Sequence, residues 1–164
     1  MKTVARQLKQ LVDSARSELL AIPEEKTSEK AYAHKWCLKE ILGHLIDSAA
    51  NNHQRIVRMQ EVASLGTFTY TQQHWVDSQR YIDERWVDVV EFWYCYNVHL
   101  AHVIAHVDPA TLNNVCDMGY AEPATLKFVI EDYVRHVQHH LDQILSGDDP
   151  RKRKQWVRRL PSQG

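Results

Sequence analysis

Apolar residues recur at helical spacing in four stretches of the chain. Val4, Leu8, Leu11, Val12, Ala15, Leu19 and Ile22 form the first stripe, which predicts a helix over 3–22 stopped by Pro23. Leu38, Ile41, Leu42, Leu45, Ala49 and Ile56 predict a second helix over 37–63, with Gly66 just past its end. Val90, Trp93, Tyr94, Asn97, Ala101 and Ile104 predict a third over 83–107, with Asp83 as N-cap and Asp108-Pro109 as its stop. Leu126, Ile130, Tyr133, Val134, Val137, Leu141 and Ile144 predict a fourth over 125–146, capped by Thr125 and Gly147. Between them, 23–34 reads as polar loop with room for one helical turn, and 108–124 as a second loop. The stretch 65–82 has no helical period, and so long a connection suits a crossover. The pattern is that of an all-α protein: a four-helix bundle over 1–147 with a long crossover between helices two and three, followed by a basic tail over 148–164.

Composition narrows the class without naming a function. The chain has 164 residues, 44% hydrophobic and 25% charged, enough for one domain with a real core. A net charge of −1 sets up no global field for nucleic acid or membrane. No apolar run approaches the roughly 20 residues that span a bilayer, and the amphipathic start MKTVARQLKQ is not expected to be a signal peptide. Cys37, Cys95 and Cys116 lack CxxC spacing and read as reduced thiols, which makes the expected location cytoplasmic. The tail's Arg151, Lys152, Arg153, Lys154, Arg158 and Arg159 read as a solvated or oligomer-contact segment rather than a nucleic-acid site. The one compositional pointer to chemistry is ten histidines.

A turn of about 100° per residue sorts most of them. On helix four, His140 lies about 60° and His136 about 100° from Val137 on one side of the stripe, while His139 faces away at about 160°. On helix two, His44 lies about 100° from Leu45, at the stripe's edge, and His53 lies on the opposite edge. His99, His102 and His106 line the polar face of helix three and are expected in water or at a subunit contact. An i, i+4 pair such as His136 and His140 presents two imidazoles from one face, and a third from a facing helix completes a three-ligand site with open positions. The geometry fits equally well three edge-of-core histidines bonded to their surroundings.

Two segments carry a resemblance. Trp36-Cys-Leu-Lys-Glu-Ile-Leu-Gly-His44-Leu-Ile-Asp-Ser48 and Glu131-Asp-Tyr-Val-Arg-His136-Val-Gln-His-His140-Leu-Asp-Gln-Ile144 resemble the signature of the DinB-like (DinB/YfiT-like) superfamily: one histidine early in the second helix, then HxxxH followed by Gln in the fourth. The resemblance covers about residues 3–146. It implies a four-helix bundle with a long crossover, often a homodimer, holding a divalent metal, zinc or nickel, on His44, His136 and His140. It also implies a metal-dependent enzyme acting on a small molecule by thiol S-transfer or hydrolysis, the thiol being of low molecular weight.

Periodicity places Ser48, Asn51 and Arg55 on the flank of His44, and Tyr133 beside the His136/His140 edge. Ser48, Asn51 and Tyr133 are the expected pocket lining, and Asn52 is expected buried and hydrogen-bonded. Arg55, about 16 Å along the axis from His44, is expected in a surface ion pair, its alternative being the anionic group of an extended substrate. Tyr70, His74 and Trp75 of the crossover are candidates to cap the pocket. No carboxylate is well placed: Asp47 falls on the outer side of helix two, and Glu131 and Asp132 fall off the stripe of helix four. Thiolate activation by a metal needs no protein base, so the missing carboxylate favours thiol transfer over hydrolysis, and no catalytic residue is assigned. The competing class is a non-catalytic metal- or ligand-binding bundle, in one form a stress protein.

Overall fold

A computed structural model describes residues 1–30, 32 and 34–146. Four long helices make the bundle: α1 (Lys2–Leu20), α3 (Leu38–Arg58), α5 (Trp86–Ala105) and α6 (Leu126–Ser146), with a short α2 (Glu24–Thr27) after the first. α1 and α3 each pack between α5 and α6, so the first two long helices sit on a diagonal. α1 and α3 can avoid one another in this way because the connection between them is long.

The stripes read from periodicity are the core. Leu8, Val12, Ala15 and Leu19 of α1, Leu42, Leu45, Ala49 and Ile56 of α3, Val90, Trp93 and Ile104 of α5, and Leu126, Ile130, Val137 and Leu141 of α6 are all fully enclosed. α3 starts in a capping box, with the Glu40 carboxylate accepting from the Cys37 backbone N–H at 2.8 Å. α6 starts where the Phe128 N–H donates to the Thr125 hydroxyl at 3.2 Å, the N-cap expected from the sequence. Gly147, its expected C-cap, and the basic tail lie outside the described residues. Among the described residues no helix is long and apolar enough to cross a membrane.

The connections hold more structure than their sequence suggests. Residues 65–82 are not irregular: they include most of the strand β1 (Ser64–Thr67), a helix α4 (Gln72–Gln79) and the start of a 3-10 turn, Tyr81–Asp83. The loop 108–124 carries the 3-10 turn Pro109–Thr111 and the strand β2 (Val115–Asp117), and ends at β3 (Ala124–Thr125). β1 pairs parallel with β2, and β2 antiparallel with β3, which ties the two long connections together at one end of the bundle. α5 accordingly starts at Trp86 with Arg85 as N-cap, and Asp83 belongs to the 3-10 turn.

α4 and the 3-10 turn lie on α3, on the side away from the bundle axis. Every residue from Lys39 to Ala49 is therefore buried, whichever way it points. Gly43 permits this closeness, since a Cβ there would collide with the Tyr81 ring. Asp47, expected on the outer side, is 1% exposed: its Oδ1 accepts from the Tyr81 hydroxyl at 2.6 Å and from the Gln79 amide. Burial pushes the Asp47 carboxyl pKa up.

Candidate metal centre

α3 and α6 face each other, and their histidines meet across the contact. His44 contributes from the second turn of α3, and His136 and His140 from successive turns of α6. The ring centroids are 5.1 Å apart for His44–His136, 5.1 Å for His44–His140 and 4.6 Å for His136–His140. One ring nitrogen from each can be chosen so that all three lie within 4.8 Å of one another.

The electrostatics favour neutral imidazoles with free lone pairs. Burial, reinforced by the neighbouring His136 and His140, pushes the His44 pKa down to about 3. Burial and His140 push His136 down to about 4, against a smaller opposing pull from Asp132. Burial also lowers His140, with Gln143 opposing. The Gln143 amide oxygen lies 3.0 Å from His140 Nδ1 and can only accept, so Nδ1 carries the proton and Nε2 keeps its lone pair. His44 Nδ1 and His136 Nε2 are buried without a hydrogen-bond partner. Most buried polar atoms in proteins are paired, and two orphaned nitrogens in one three-imidazole cluster fit a cation as the missing partner. Nitrogen donors of this kind suit zinc, nickel, copper or iron rather than calcium or magnesium.

Two cavities flank the cluster. One of about 220 Å³ is lined by His136 together with Ser48, Asn52, Arg55, Thr69, Tyr70, Gln72, Met118, Tyr120, Asp132 and Tyr133. The other, of about 230 Å³, is lined by His140, Gln143, Gln73, Trp36, Lys35 and His34. Trp36 also packs its ring 5.0 Å from His44 and donates its indole N–H to Gln73 at 3.1 Å, joining the cluster to α4.

Ser48 and Tyr133 line the cavity of about 220 Å³, and Tyr133 donates its hydroxyl to Asn97 at 2.5 Å. Asn51 is buried but not in that wall, and its amide donates to the Asp47 carbonyl at 2.8 Å. Asn52 is buried and bonded to the Ser48 carbonyl at 2.9 Å, and it also lines the cavity. Of the crossover residues, Tyr70 is in the wall, with Trp75 packed against it at 5.4 Å, while His74 is exposed. Burial raises the Tyr70 pKa to about 12, so its hydroxyl stays protonated.

Two residues contradict the sequence reading of this region. Arg55 makes no surface ion pair: it is 4% exposed and donates to the Phe68 carbonyl from Nε at 3.2 Å and Nη2 at 2.7 Å. The strand-linked crossover folds over its side of α3, which no periodicity in α3 reveals. Asp132 is half-buried in the cavity wall, one turn before His136, with Arg135 donating to it at 3.0 Å. A carboxylate is thus present after all, and its i, i+4 relation to His136 was the available signal.

No protein-family model matches the chain, and no curated protein matches its sequence. Among solved structures, YfiT from Bacillus subtilis matches with a TM-score of 0.77 and 13% sequence identity, over 96% of this chain and 86% of that one. That protein is described as a probable metal-dependent hydrolase with an unusual four-helix bundle topology. The likeness shows that this chain has a YfiT-like fold.

Proposed function

We propose that this chain is a metal-dependent hydrolase of a small molecule, with His44, His136 and His140 holding a divalent cation, zinc or nickel. The observation that carries the reading is the convergence of three neutral imidazoles, two with orphaned buried nitrogens, between two cavities, one lined by His136 and the other by His140. The hydrolase described for the YfiT bundle supports the same reading. A cation held there supplies Lewis acidity to a water or carbonyl that reaches its remaining positions.

The chain's own residues supply the rest. Gln143 holds His140 in the tautomer that offers Nε2. Asp132 is the carboxylate of the cavity and the residue to accept a proton from water. Ser48 and Asn52 offer neutral hydrogen bonds for orienting a substrate, and Tyr70, backed by Trp75, narrows access by solvent.

Metal analysis of purified protein, paired with a panel of small esters and amides, tests this. One divalent ion per chain and turnover lost in Asp132→Asn are expected; protein free of metal after purification with added zinc or nickel would sink the idea. Thiol transfer is the second reading. It is favoured by the largely neutral wall and by the commitment of Asp132 to Arg135. A thiolate charge-transfer band on adding small thiols to cobalt-substituted protein decides for it. Metal without turnover of either kind leaves a non-catalytic metal-binding bundle.

A further inference from the structure

Resting on that reading of the cavity, we propose that its substrate is an anion and that Arg55 recognises its carboxylate or phosphate group. Arg55 is a permanent cation, 4% exposed, in the wall of the cavity that His136 also lines. Among the described residues no carboxylate pairs with it. Its contacts are neutral: the Phe68 carbonyl takes Nε–H and one Nη2–H, and the Asn52 amide oxygen takes one Nη1–H at 3.3 Å.

A guanidinium has five N–H groups, and these bonds use three. The remaining two sit one on each terminal nitrogen and are free to donate to an oxyanion. The three bonds hold the head in one place, and the Phe68 ring packs 5.3 Å from its central carbon. Arg58 sits over the same ring at 5.4 Å, so two positive charges gather here in a chain whose net charge is −1.

A buried cation with only neutral partners is electrostatically incomplete, and burial lowers its pKa for that reason. The cavity's own carboxylate, Asp132, is bonded to Arg135. An anionic ligand supplies the missing countercharge. It also fixes the ligand's direction, with its charged end at Arg55 and its reacting end toward His136. Arg55 follows His44 by eleven positions, about 16 Å between backbones along α3, and its head reaches back toward Asn52.

Inorganic phosphate and succinate, with neutral succinamide as control, are the probes. They are titrated calorimetrically into the full chain, once with zinc and once with zinc removed by a chelator. Expected are phosphate or succinate binding in both forms, no succinamide binding, and a loss of at least tenfold in Arg55→Gln at unchanged zinc content. The stronger of the two anions identifies the group. Anion binding that disappears with the zinc would place the anion on the metal and overturn the proposal while leaving the metal site standing. Absence of zinc with anion binding intact would overturn the metal site alone. Should Arg55→Gln fail to fold, the Arg55 Nε–H resonance of the unmutated protein is followed through the titration. A shift at saturating anion supports the site, and an unmoved resonance overturns it.

Discussion

Two helix faces of this molecule carry histidines at the same spacing. His136 and His140 on α6 have ring centroids 4.6 Å apart, and His102 in the last turn of α5 and His106 at its C-cap have them 4.4 Å apart. The pairs differ in what faces them. α6 turns its pair toward α3, which supplies His44, 1% exposed. α5 turns its pair toward solvent, and His99, the third imidazole of that face, lies 6.5 Å from His102 on the same helix. His106 Nδ1 is already 2.8 Å from the His102 carbonyl, whereas the α3–α6 cluster keeps two buried nitrogens unpartnered. Among the described residues only the α3–α6 group brings donor atoms of three such side chains within 4.8 Å. An i, i+4 pair is therefore half a site, and a crossing helix that buries it supplies the other half.

The sharpest way to break this contrast is to remove one imidazole from each face. His136→Ala is expected to weaken zinc or nickel binding by more than about 100-fold, because outer partners of metal ligands alone are worth 10–100-fold. His102→Ala is expected to change it less than about twofold, and its stability by less than about 0.5 kcal/mol. Calorimetric titration of both variants checks the pair of outcomes, and equal losses would erase the distinction.

Acid distinguishes the buried cluster next. The folded pKa values of His44 and His136 lie below the ordinary value of 6.5, at about 3 and about 4. The unfolded chain binds those protons first, so stability is full above pH 6.5 and falls as pH drops toward 4. At about 1.4 kcal/mol per pKa unit the loss by pH 4 is on the order of 3 kcal/mol for each of the two histidines in the metal-free protein. Urea unfolding at stepped pH measures it, and His44→Leu is expected to flatten the curve. A metal-free His44→Leu curve as steep as the unmutated one would contradict the burial argument.

Much of this contrast is legible in the sequence. Angular position alone puts His44, His136 and His140 at the edges of apolar stripes and His102 opposite one, and the four bundle helices follow from period 3.6. What periodicity misses lies on α3. Its stripe says which residues face the bundle, but nothing in α3 says that a second layer will cover the other side. Asp47 and Arg55 were thus read as solvent-facing, whereas α4, the 3-10 turn and Phe68 enclose them. α4 itself escapes because its eight residues bury only Val76. β1, β2 and β3 escape because strands of two to four residues carry no usable alternation.

That second layer gives a further test. The Tyr81 ring occupies the space a side chain at position 43 would need, so Gly43→Ala must displace it. Forced overpacking of this kind costs about 1–3 kcal/mol, and it would loosen the cover beside His44. A lowered thermal midpoint and a metal affinity reduced less than in His136→Ala are expected. An unchanged midpoint would mean that α4 and the 3-10 turn are not held tightly on α3.

The smallest expected effect concerns the one metal-facing imidazole whose tautomer the structure fixes. Gln143 is exposed, yet its amide oxygen is 3.0 Å from His140 Nδ1. Without an acceptor there, the His140 proton divides between the two nitrogens and the ring gains freedom to turn. Gln143→Ala is expected to weaken metal binding about tenfold, the low end for partners of this kind because solvent can replace the amide. Gln143→Glu keeps an acceptor at the same reach and is expected to remain within about threefold of the unmutated protein. The pair separates orientation of the ring from mere bulk on the last turn of α6. A Glu variant as weak as the Ala variant would show that the hydrogen bond contributes nothing, and that burial alone distinguishes this cluster from the histidines of α5.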